Sequence, residues 1–183
     1  MIYGSIVFTD IYKSSKLWES EEDMLKAIKK HNSRIFNIVK KNNGMVVKTI
    51  GDSFMIYFED CTDATLSCMK ITESFVKNPI YIRNKQMKIR IGMAIGYSNK
   101  ISLLIQGNKT IDFVGKLVNA AARLESMVSP TGAFSITEIE PSECIDLIID
   151  TVESSGRYTL KESFHKDLHG VKNINSWTFK LKK

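Results

Sequence analysis

The sequence predicts an α+β fold in which helices pack on one face of a mainly antiparallel sheet. Three observations support this prediction. Segments typical of strands and helices follow one another in the order strand, helix, hairpin, helix, strand, helix. A hydrophobic fraction of 43% and a charged fraction of 25% are typical of a globular protein. The 183 residues suffice for one sizeable core, so we expect a single domain over residues 1–183.

The first part of the chain contains a strand and a long amphipathic helix. Residues 2–8 form an apolar run that predicts a buried strand ending at Thr9-Asp10-Ile11. Residues 20–41 are predicted to form a helix, because acidic residues fill the first turn and lysines the last. Its predicted buried stripe is Leu25, Ile28, Ile35, Ile38 and Val39, and Trp18, His31 and Phe36 are predicted packing residues.

The later elements are predicted from the same periodicities. Residues 45–58 are typical of a hairpin, because two strand-like runs flank Gly51-Asp52. Further helices are predicted from about residue 60 to 77, over 116–127 and over 142–149. Further strands are predicted over residues 88–97, 102–105, 133–136, 158–160 and 176–181, with a loop at 106–109.

Charge and cysteine content limit the classes of partner. The net charge of +6 suits an anionic ligand, but the lysines are scattered, so nucleic acid is not expected as the main ligand. The cysteines Cys61, Cys68 and Cys144 form no CxxC pair, which favours reduced thiols in a cytoplasmic protein. The first residues contain no signal-peptide pattern and the chain has no long apolar run, so no membrane segment is expected.

Two aspartates are candidate metal ligands. Asp10 ends the first strand and Asp52 lies at the tip of the hairpin, so the two meet if these strands pair. Adjacent carboxylates favour hard divalent cations, and two such ions roughly 3.5–4 Å apart can clamp both oxygens of a phosphoryl displacement. The alternative is that each aspartate merely ends a strand or turn.

A third segment adds an amide and a guanidinium on one helix. Asn119 and Arg123 are four residues apart, so they project together from the predicted helix 116–127. Such a pair can orient a ribose oxygen and stabilise charge that develops on a phosphate. The alternative is a solvated Asn and an Arg paired with a nearby acid.

Together these segments resemble the class III nucleotidyl cyclase catalytic domain. The resemblance extends from about residue 5 to residue 181, in the family's order and spacing. It rests on Asp10 in Phe-Thr-Asp-Ile, Lys48 and Asp52 in Lys-Thr-Ile-Gly-Asp, Arg90-Ile91-Gly92-Met93-Ala94-Ile95-Gly96, and residues 112–123. It implies a ferredoxin-like, palm-type sandwich and a homodimer with two active sites shared between the subunits.

The resemblance also implies a role for each site residue. Asp10, Asp52 and the Ile11 carbonyl of one subunit would bind two Mg²⁺ or Mn²⁺ ions. Lys48 and Asp112 of the other subunit would recognise the base. Asn119 would orient the ribose and Arg123 would stabilise the transition state, in which the 3′-hydroxyl attacks the α-phosphorus and pyrophosphate leaves.

Hydrogen-bond chemistry predicts the base. Lys48 only donates and ionised Asp112 only accepts. Adenine offers N1 as an acceptor and its amino group as a donor, whereas guanine reverses this edge. Members of the family that use GTP tend to have Glu and a small polar residue at these positions, so ATP is the predicted substrate and the chain is most like an adenylate cyclase.

The residues that contact the triphosphate depart from the family pattern. His169-Gly170 stands where a Lys-Gly turn is usual, and Lys172 is a candidate substitute. Lys13-Ser14-Ser15 follows the first strand, and its backbone amides and the Lys13 ammonium are predicted to bind phosphate. Tyr97 occupies a position where some members have a phosphate-contacting arginine.

Four alternatives remain at the level of sequence. One is a catalytically silent nucleotide-binding protein of the same fold, although Asp10, Asp52, Asn119 and Arg123 are all retained. A second is a cyclase that uses GTP or a pyrimidine triphosphate. A third is a metal-dependent polymerase-like palm, which would leave the Asn119 and Arg123 helix unexplained. A nucleic-acid-binding module is the fourth.

Overall fold

The computed structural model describes residues 1–18, 20–105, 107–140, 142, 144–168 and 170–182. The first elements are β1 (Ile2–Ile11), a short 3-10 helix (Ser14–Leu17), α1 (Glu21–Lys41), β2 (Met45–Ile50), β3 (Ser53–Phe58) and α2 (Cys61–Lys77). There follow β4 (Tyr81–Ile82), β5 (Lys85–Gln86), β6 (Ile89–Ile105), β7 (Asn108–Val114) and α3 (Lys116–Met127). The last are β8 (Ala133–Glu138), α4 (Cys144–Ser154), β9 (Tyr158–Leu168) and β10 (Val171–Leu181).

The main sheet has the strand order β2-β3-β1-β6-β8-β10-β9, and β7 pairs with β6 outside this path. The described pairs are antiparallel except β6 with β8, which is parallel. The predicted α+β class with a mainly antiparallel sheet is therefore confirmed. Since β1 pairs with β3, the end of the first strand lies beside the hairpin tip, as predicted.

Helices cover both faces of the sheet, so the prediction that they pack on one face is wrong. Residues of α1, α2 and α4 share one core cluster with Val7, Ile56 and Ile91. Helix α3 packs in a second cluster on the other face, with Ile6, Phe8 and Met55. The physical reason lies in the central strands: Ile6, Val7 and Phe8 are all buried, and a strand that is apolar on both sides needs cover on both.

The buried stripe of α1 is displaced from the predicted one. Met24, Ala27, His31, Ile35 and Val39 are the buried residues of this helix. Leu25, Phe36 and Trp18 are 46%, 52% and 47% exposed, so their predicted burial is wrong. Leu25 follows Met24 directly, and a step of one residue rotates a side chain by about 100° around a helix. His31 is a packing residue as predicted, with its ring 5.5 Å from that of Phe75.

The strands β6 and β7 form a long hairpin where the sequence predicted two short strands and a loop. β6 continues without a break to Ile105, and β7 already begins at Asn108, so the predicted loop at 108–109 is wrong. Gly107 turns the chain with φ +81°, and Gln106 lies outside the described residues. Leu103 and Leu104 are 40% and 78% exposed, so the outer part of this arm has no buried face to produce an alternating pattern. The strands β9 and β10 also extend beyond their predicted ends.

Two further observations concern the whole chain. Within the described ranges, no helix is both long and apolar enough to cross a membrane. The three cysteines are free, and Cys61 and Cys68 are buried, as their spacing on a helix predicted.

Candidate active site

The two predicted metal ligands lie at the same end of the sheet. Asp10 is next to the last residue of β1, and Asp52 directly precedes β3. Gly51, with φ +63°, provides the tight turn between β2 and β3. The hydroxyl of Ser53 donates a hydrogen bond of 2.7 Å to Asp10 Oδ1, which joins the tip of the hairpin to the end of β1.

The carboxylate of Asp52 has an unsatisfied oxygen. Its Oδ2 is buried and has no hydrogen-bond partner among the described residues. A buried carboxylate oxygen without a donor is costly unless a cation or water satisfies it. The described residues contain no cluster of three or more acidic, His or Cys side chains that could hold a metal. Two carboxylates fit Mg²⁺ or Mn²⁺, because these ions commonly keep waters and substrate phosphates as their other ligands.

Arg90 contacts Asp10, and Glu125 contacts Arg90. Neither residue was assigned to the site from the sequence. Arg90 Nη2 lies 2.6 Å from Asp10 Oδ2, and Arg90 Nε lies 2.7 Å from Glu125 Oε1. The second contact is an ion pair whose atoms are not aligned for a hydrogen bond. Burial raises the pKa of Glu125 to about 7 against the lowering effect of Arg90, while Asp10 and Asp52 raise it less. The signal that was available is the register, because Arg90 lies directly opposite Asp10 in the sheet.

The structure brings the two predicted base-contacting residues together. Lys48 Nζ, on β2, lies 2.6 Å from Asp112 Oδ2, on β7. Asp112 Oδ1 also accepts a hydrogen bond of 2.8 Å from the backbone N–H of Phe113, and the Phe113 ring stacks on Tyr57. The hydrogen bond from the Phe113 backbone therefore fixes the orientation of the aspartate. A donor and an acceptor stand side by side at the surface, each able to exchange its partner for a ligand.

Asn119 and Arg123 are both exposed on α3, on the side away from the core. The guanidinium of Arg123 makes no hydrogen bond or ion pair with any residue that the structure describes, so the alternative of an Arg paired with a nearby acid is not observed. Glu125, in contrast, is buried and contacts Arg90. Arg123 and Glu125 are two positions apart, so their side chains leave the helix in directions about 200° apart around its axis. Arg123 therefore points away from the Asp10 cluster of its own chain.

The predicted triphosphate contacts fall into two groups. Lys13, Ser14 and Ser15 follow β1 after one residue, Tyr12, with Lys13 in the left-handed conformation (φ 54°) and its Nζ 4.8 Å from the Tyr12 ring centroid. They therefore lie on the Asp10 side. Lys172 is exposed near the start of β10, opposite Asp167, and the structure does not bring it to Asp10.

Leu168 and Val171 are the described residues on either side of the predicted His169-Gly170 position. They pack in the same cluster as Phe113. His169 lies outside the described residues. Tyr97 is on β6, far along the strand from Arg90, with its ring 5.1 Å from that of Tyr3.

These features define a class of protein. The chain belongs to the adenylate and guanylate cyclase catalytic domain family, which it matches over residues 4–166. This membership agrees with the resemblance stated from the sequence.

Individual relatives point to adenylate cyclases. The chain is 29% identical to the adenylate cyclase of Neurospora crassa, over 92% of this chain and 9% of that protein. It is 30% identical to the adenylate cyclase of Schizosaccharomyces pombe, over 97% of this chain and 12% of that protein. The chain thus spans about a tenth of the length of these curated relatives.

Solved structures show the same fold. The guanylate cyclase domain of RhGC from Catenaria anguillulae, in complex with GTP, superposes with a TM-score of 0.78 at 20% identity, covering 100% of this chain and 98% of that one. An adenylate cyclase from Trypanosoma brucei in its monomeric state gives a TM-score of 0.75 at 20% identity, covering 97% and 89%.

Proposed function

We propose that this chain is the catalytic domain of an adenylate cyclase, which converts ATP to 3′,5′-cyclic AMP and pyrophosphate. The observation that carries the choice of ATP is the contact of 2.6 Å between Lys48 and Asp112. The lysine can donate to N1 of adenine and the aspartate can accept from its amino group, while guanine would present the wrong group to each. The adenylate cyclases among its relatives support the same choice.

The active form is proposed to be a homodimer with two shared sites. Support comes from the directions of the site residues in one chain. Asp10 faces Arg90 and, through it, Glu125 on α3. Arg123 projects from the same helix in a direction about 200° from that of Glu125, so it cannot reach the phosphate held beside Asp10 of its own chain. A complete site therefore needs the aspartates of one copy and the Asn119 and Arg123 pair of a second.

Two divalent cations are proposed as cofactors, held by Asp10, Asp52 and the Ile11 carbonyl. When bound there, they would neutralise the charge of the triphosphate and lower the pKa of the attacking hydroxyl. The buried, unsatisfied Oδ2 of Asp52 supports this assignment. Lys13, Ser14 and Ser15 follow β1 after one residue and are proposed to bind the phosphates on the same side.

In the proposed shared site, residues of the second subunit then act on the nucleotide. Lys48 and Asp112 fix the base, and Asn119 orients the ribose so that its 3′-oxygen lies in line with the α-phosphorus. A bond forms between O3′ and the α-phosphorus as the hydroxyl proton passes to water and the bond from the α-phosphorus to the bridging oxygen breaks, so that pyrophosphate leaves. Arg123 donates to the phosphate oxygens as negative charge develops on them. Lys172 is proposed to contact the triphosphate from the same subunit as Lys48.

A single catalytic domain over residues 1–183 in the cytoplasm is also proposed. All described strands except β4 and β5, which pair with each other, share one sheet with a core on each of its faces, which supports one domain. Three free cysteines, two of them buried, suit a reducing compartment.

The proposal is tested with the purified protein and each of ATP, GTP, CTP and UTP, with Mn²⁺ or Mg²⁺, and with the products identified by mass. We expect cyclic AMP from ATP to form fastest. Faster turnover of another triphosphate would overturn the choice of substrate. No product from any triphosphate, at protein concentrations where dimers are shown to form, would identify a silent nucleotide-binding member of the family.

A further inference from the structure

We infer that Arg90 is a positioning residue for Asp10, which holds this carboxylate in the orientation that a divalent cation requires. The inference rests on the proposed function, since it concerns the same cation site. It adds a residue that neither the family resemblance nor the sequence motifs assigned a role. Arg90 does not touch the substrate in this proposal and acts only through Asp10.

The first step is that Arg90 itself is fixed from the side opposite Asp10. Its Nε lies 2.7 Å from Glu125 Oε1, and its Nη1 donates a hydrogen bond of 3.1 Å to the Ser126 carbonyl. Both partners belong to α3. The Arg90 side chain is only 19% exposed, so the guanidinium cannot swing freely into water. A planar guanidinium held at two of its nitrogens has one orientation left for the third.

The second step is that the strand and the helix can approach closely enough for these contacts. Gly92 follows Arg90 by two residues on β6, and a Cβ at this position would lie 2.2 Å from the backbone nitrogen of Glu125. Only glycine permits that distance. The close approach of α3 to β6 therefore places Glu125 beside Arg90 and makes the ion pair a fixed part of the sheet–helix interface.

The third step is that both oxygens of Asp10 are oriented, while both can still bind a cation. Oδ1 accepts from Ser53 at 2.7 Å and Oδ2 accepts from Arg90 at 2.6 Å. Each carboxylate oxygen has a second lone pair, which remains available. Asp52 differs, because its Oδ2 has no partner among the described residues. Asp10 is thus the preorganised ligand of the two. Residues behind a metal ligand commonly orient it in this way.

The fourth step concerns charge. A positive Arg90 alone would offset the negative charge that attracts a cation to Asp10. Glu125, in its ionised form, supplies the compensating negative charge on the other side of the guanidinium, at 2.7 Å. With Glu125 ionised, the Arg90–Glu125 pair is close to neutral, so Asp10 receives orientation from Arg90 without losing most of its attraction for the cation.

The test uses Arg90→Lys, which keeps the buried charge but cannot hold Asp10, Glu125 and the Ser126 carbonyl in one planar arrangement. Mn²⁺ binding is measured by electron paramagnetic resonance in the presence of 3′-deoxy-ATP, which has no attacking hydroxyl. We expect the affinity for Mn²⁺ to fall by about 10- to 100-fold, the range for removing a partner of a metal ligand. Unchanged Mn²⁺ affinity would overturn the inference.

Two further variants separate this role from a structural one. Arg90→Gln with Glu125→Gln removes both charges together, which avoids leaving one buried charge unpaired, and we expect the same loss of Mn²⁺ affinity. Arg157→Lys alters a comparable ion pair with the buried Glu73, at 2.6 Å, which takes no part in the site. We expect it to change the free energy of unfolding without changing Mn²⁺ affinity, and an equal loss of affinity in this control would contradict a specific role for Arg90.

Heterodimers show which half of the site Arg90 serves. A chain with Asn119→Ala paired with a chain with Asp52→Ala keeps one intact site, whose aspartates come from the first chain. Arg90→Lys in that chain should raise the Mn²⁺ concentration for half-maximal activity, whereas in the other chain it should not. Equal effects in both chains would mean that Arg90 acts through α3 instead. If the parent heterodimer is inactive, shared sites are disproved, and Mn²⁺ binding still decides the role of Arg90.

Discussion

His31 is a buried titratable residue of α1. Its imidazole is fully buried between the rings of Phe54 and Phe75, and its Nε2 has no hydrogen-bond partner among the described residues. Burial lowers the pKa of His31 below 6.5, and this outweighs the raising effects of a hydrogen bond with Asn32 and of the charges of Asp52 and Asp10. The folded protein therefore keeps this histidine neutral where the unfolded chain would bind a proton.

The free energy of unfolding should consequently fall as the pH drops below the pKa of a free imidazole. The unfolded state binds more protons than the folded state in this range, so acid favours unfolding. His31→Leu removes the group, and we expect the variant to lose less stability than the wild type between about pH 7 and about pH 5, where free histidine titrates. Urea denaturation at several pH values measures both proteins, and other titrating groups cancel in the comparison. Parallel curves would contradict the assignment.

Individual contacts around Asp10 show what the sequence could and could not predict at this scale. The elements that carry Asp10 and Asp52 were predictable, and the condition set from the sequence, that the first strand pairs with the hairpin, is met by β1 and β3. The part played by Arg90 was not predictable, because it depends on the register that sets Arg90 opposite Asp10. A shift of one residue would have placed the guanidinium on the other face of the sheet.

The elements of the core were predicted better than those of the projecting arms. α3 was predicted to within a residue, because its apolar spacing and the Pro130 and Gly132 that follow define both ends. The β6–β7 hairpin was not, because Leu103 and Leu104 are exposed and polar residues such as Asn108 and Lys109 lie within the strands. An arm without a buried face leaves no hydrophobic period in the sequence.

The position of this arm brings Lys48 to Asp112. β2 and β7 are not paired with each other in the sheet, and the ion pair joins them at 2.6 Å. The residue types were predictable from the family's motifs. Their contact depends on how far β6 and β7 project and bend, which no local pattern encodes.

Reversing the hydrogen-bond character of this pair should change the substrate. Lys48→Glu with Asp112→Ser provides an acceptor and a hydroxyl donor, which match guanine. We expect kcat/KM for ATP to fall about 100-fold or more, because two hydrogen bonds worth about 1–3 kcal/mol each are replaced by mismatches. GTP should become the better substrate. Steady-state kinetics with both nucleotides measure the change.

The control for this double substitution is Lys109→Gln, which makes the same net charge change of one unit on an exposed part of β7. Its kcat/KM values for ATP and GTP should stay close to those of the wild type. Retained preference for ATP in the double variant, or an equal loss with both nucleotides, would show that this pair does not recognise the base.

At the scale of the whole molecule, the residues proposed to bind the cations and those proposed to act on the ribose and phosphate lie in different places. The cluster of Asp10, Asp52 and Arg90 lies at one end of the sheet, while Asn119 and Arg123 are exposed on α3. The proposed mechanism needs both groups of residues at one site. In a two-fold symmetric pair of chains, every contact between the two surfaces occurs twice, so such a pair would complete two sites at once.

Mixing two inactive variants tests this arrangement directly. Asp52→Ala removes a residue of the metal half and Asn119→Ala removes one of the ribose half. Equal amounts that exchange subunits give about half heterodimers, each with one intact site of two, so about a quarter of the wild-type activity should return. Cyclic AMP formation is measured in the mixture, and again after heterodimers carrying two different tags are purified, which should have about half of the wild-type activity because one of their two sites is intact.

The matched control combines Asp52→Ala with Asp10→Ala, two lesions in the same half. Every hybrid site then lacks one aspartate, so no activity should return even though heterodimers form equally well. Rescue only when the lesions lie in opposite halves requires that residues from two chains meet at one site, because a site built within a single chain would be rescued by neither mixture. Rescue by both mixtures, or by neither, would therefore exclude the shared sites on which the proposed mechanism depends.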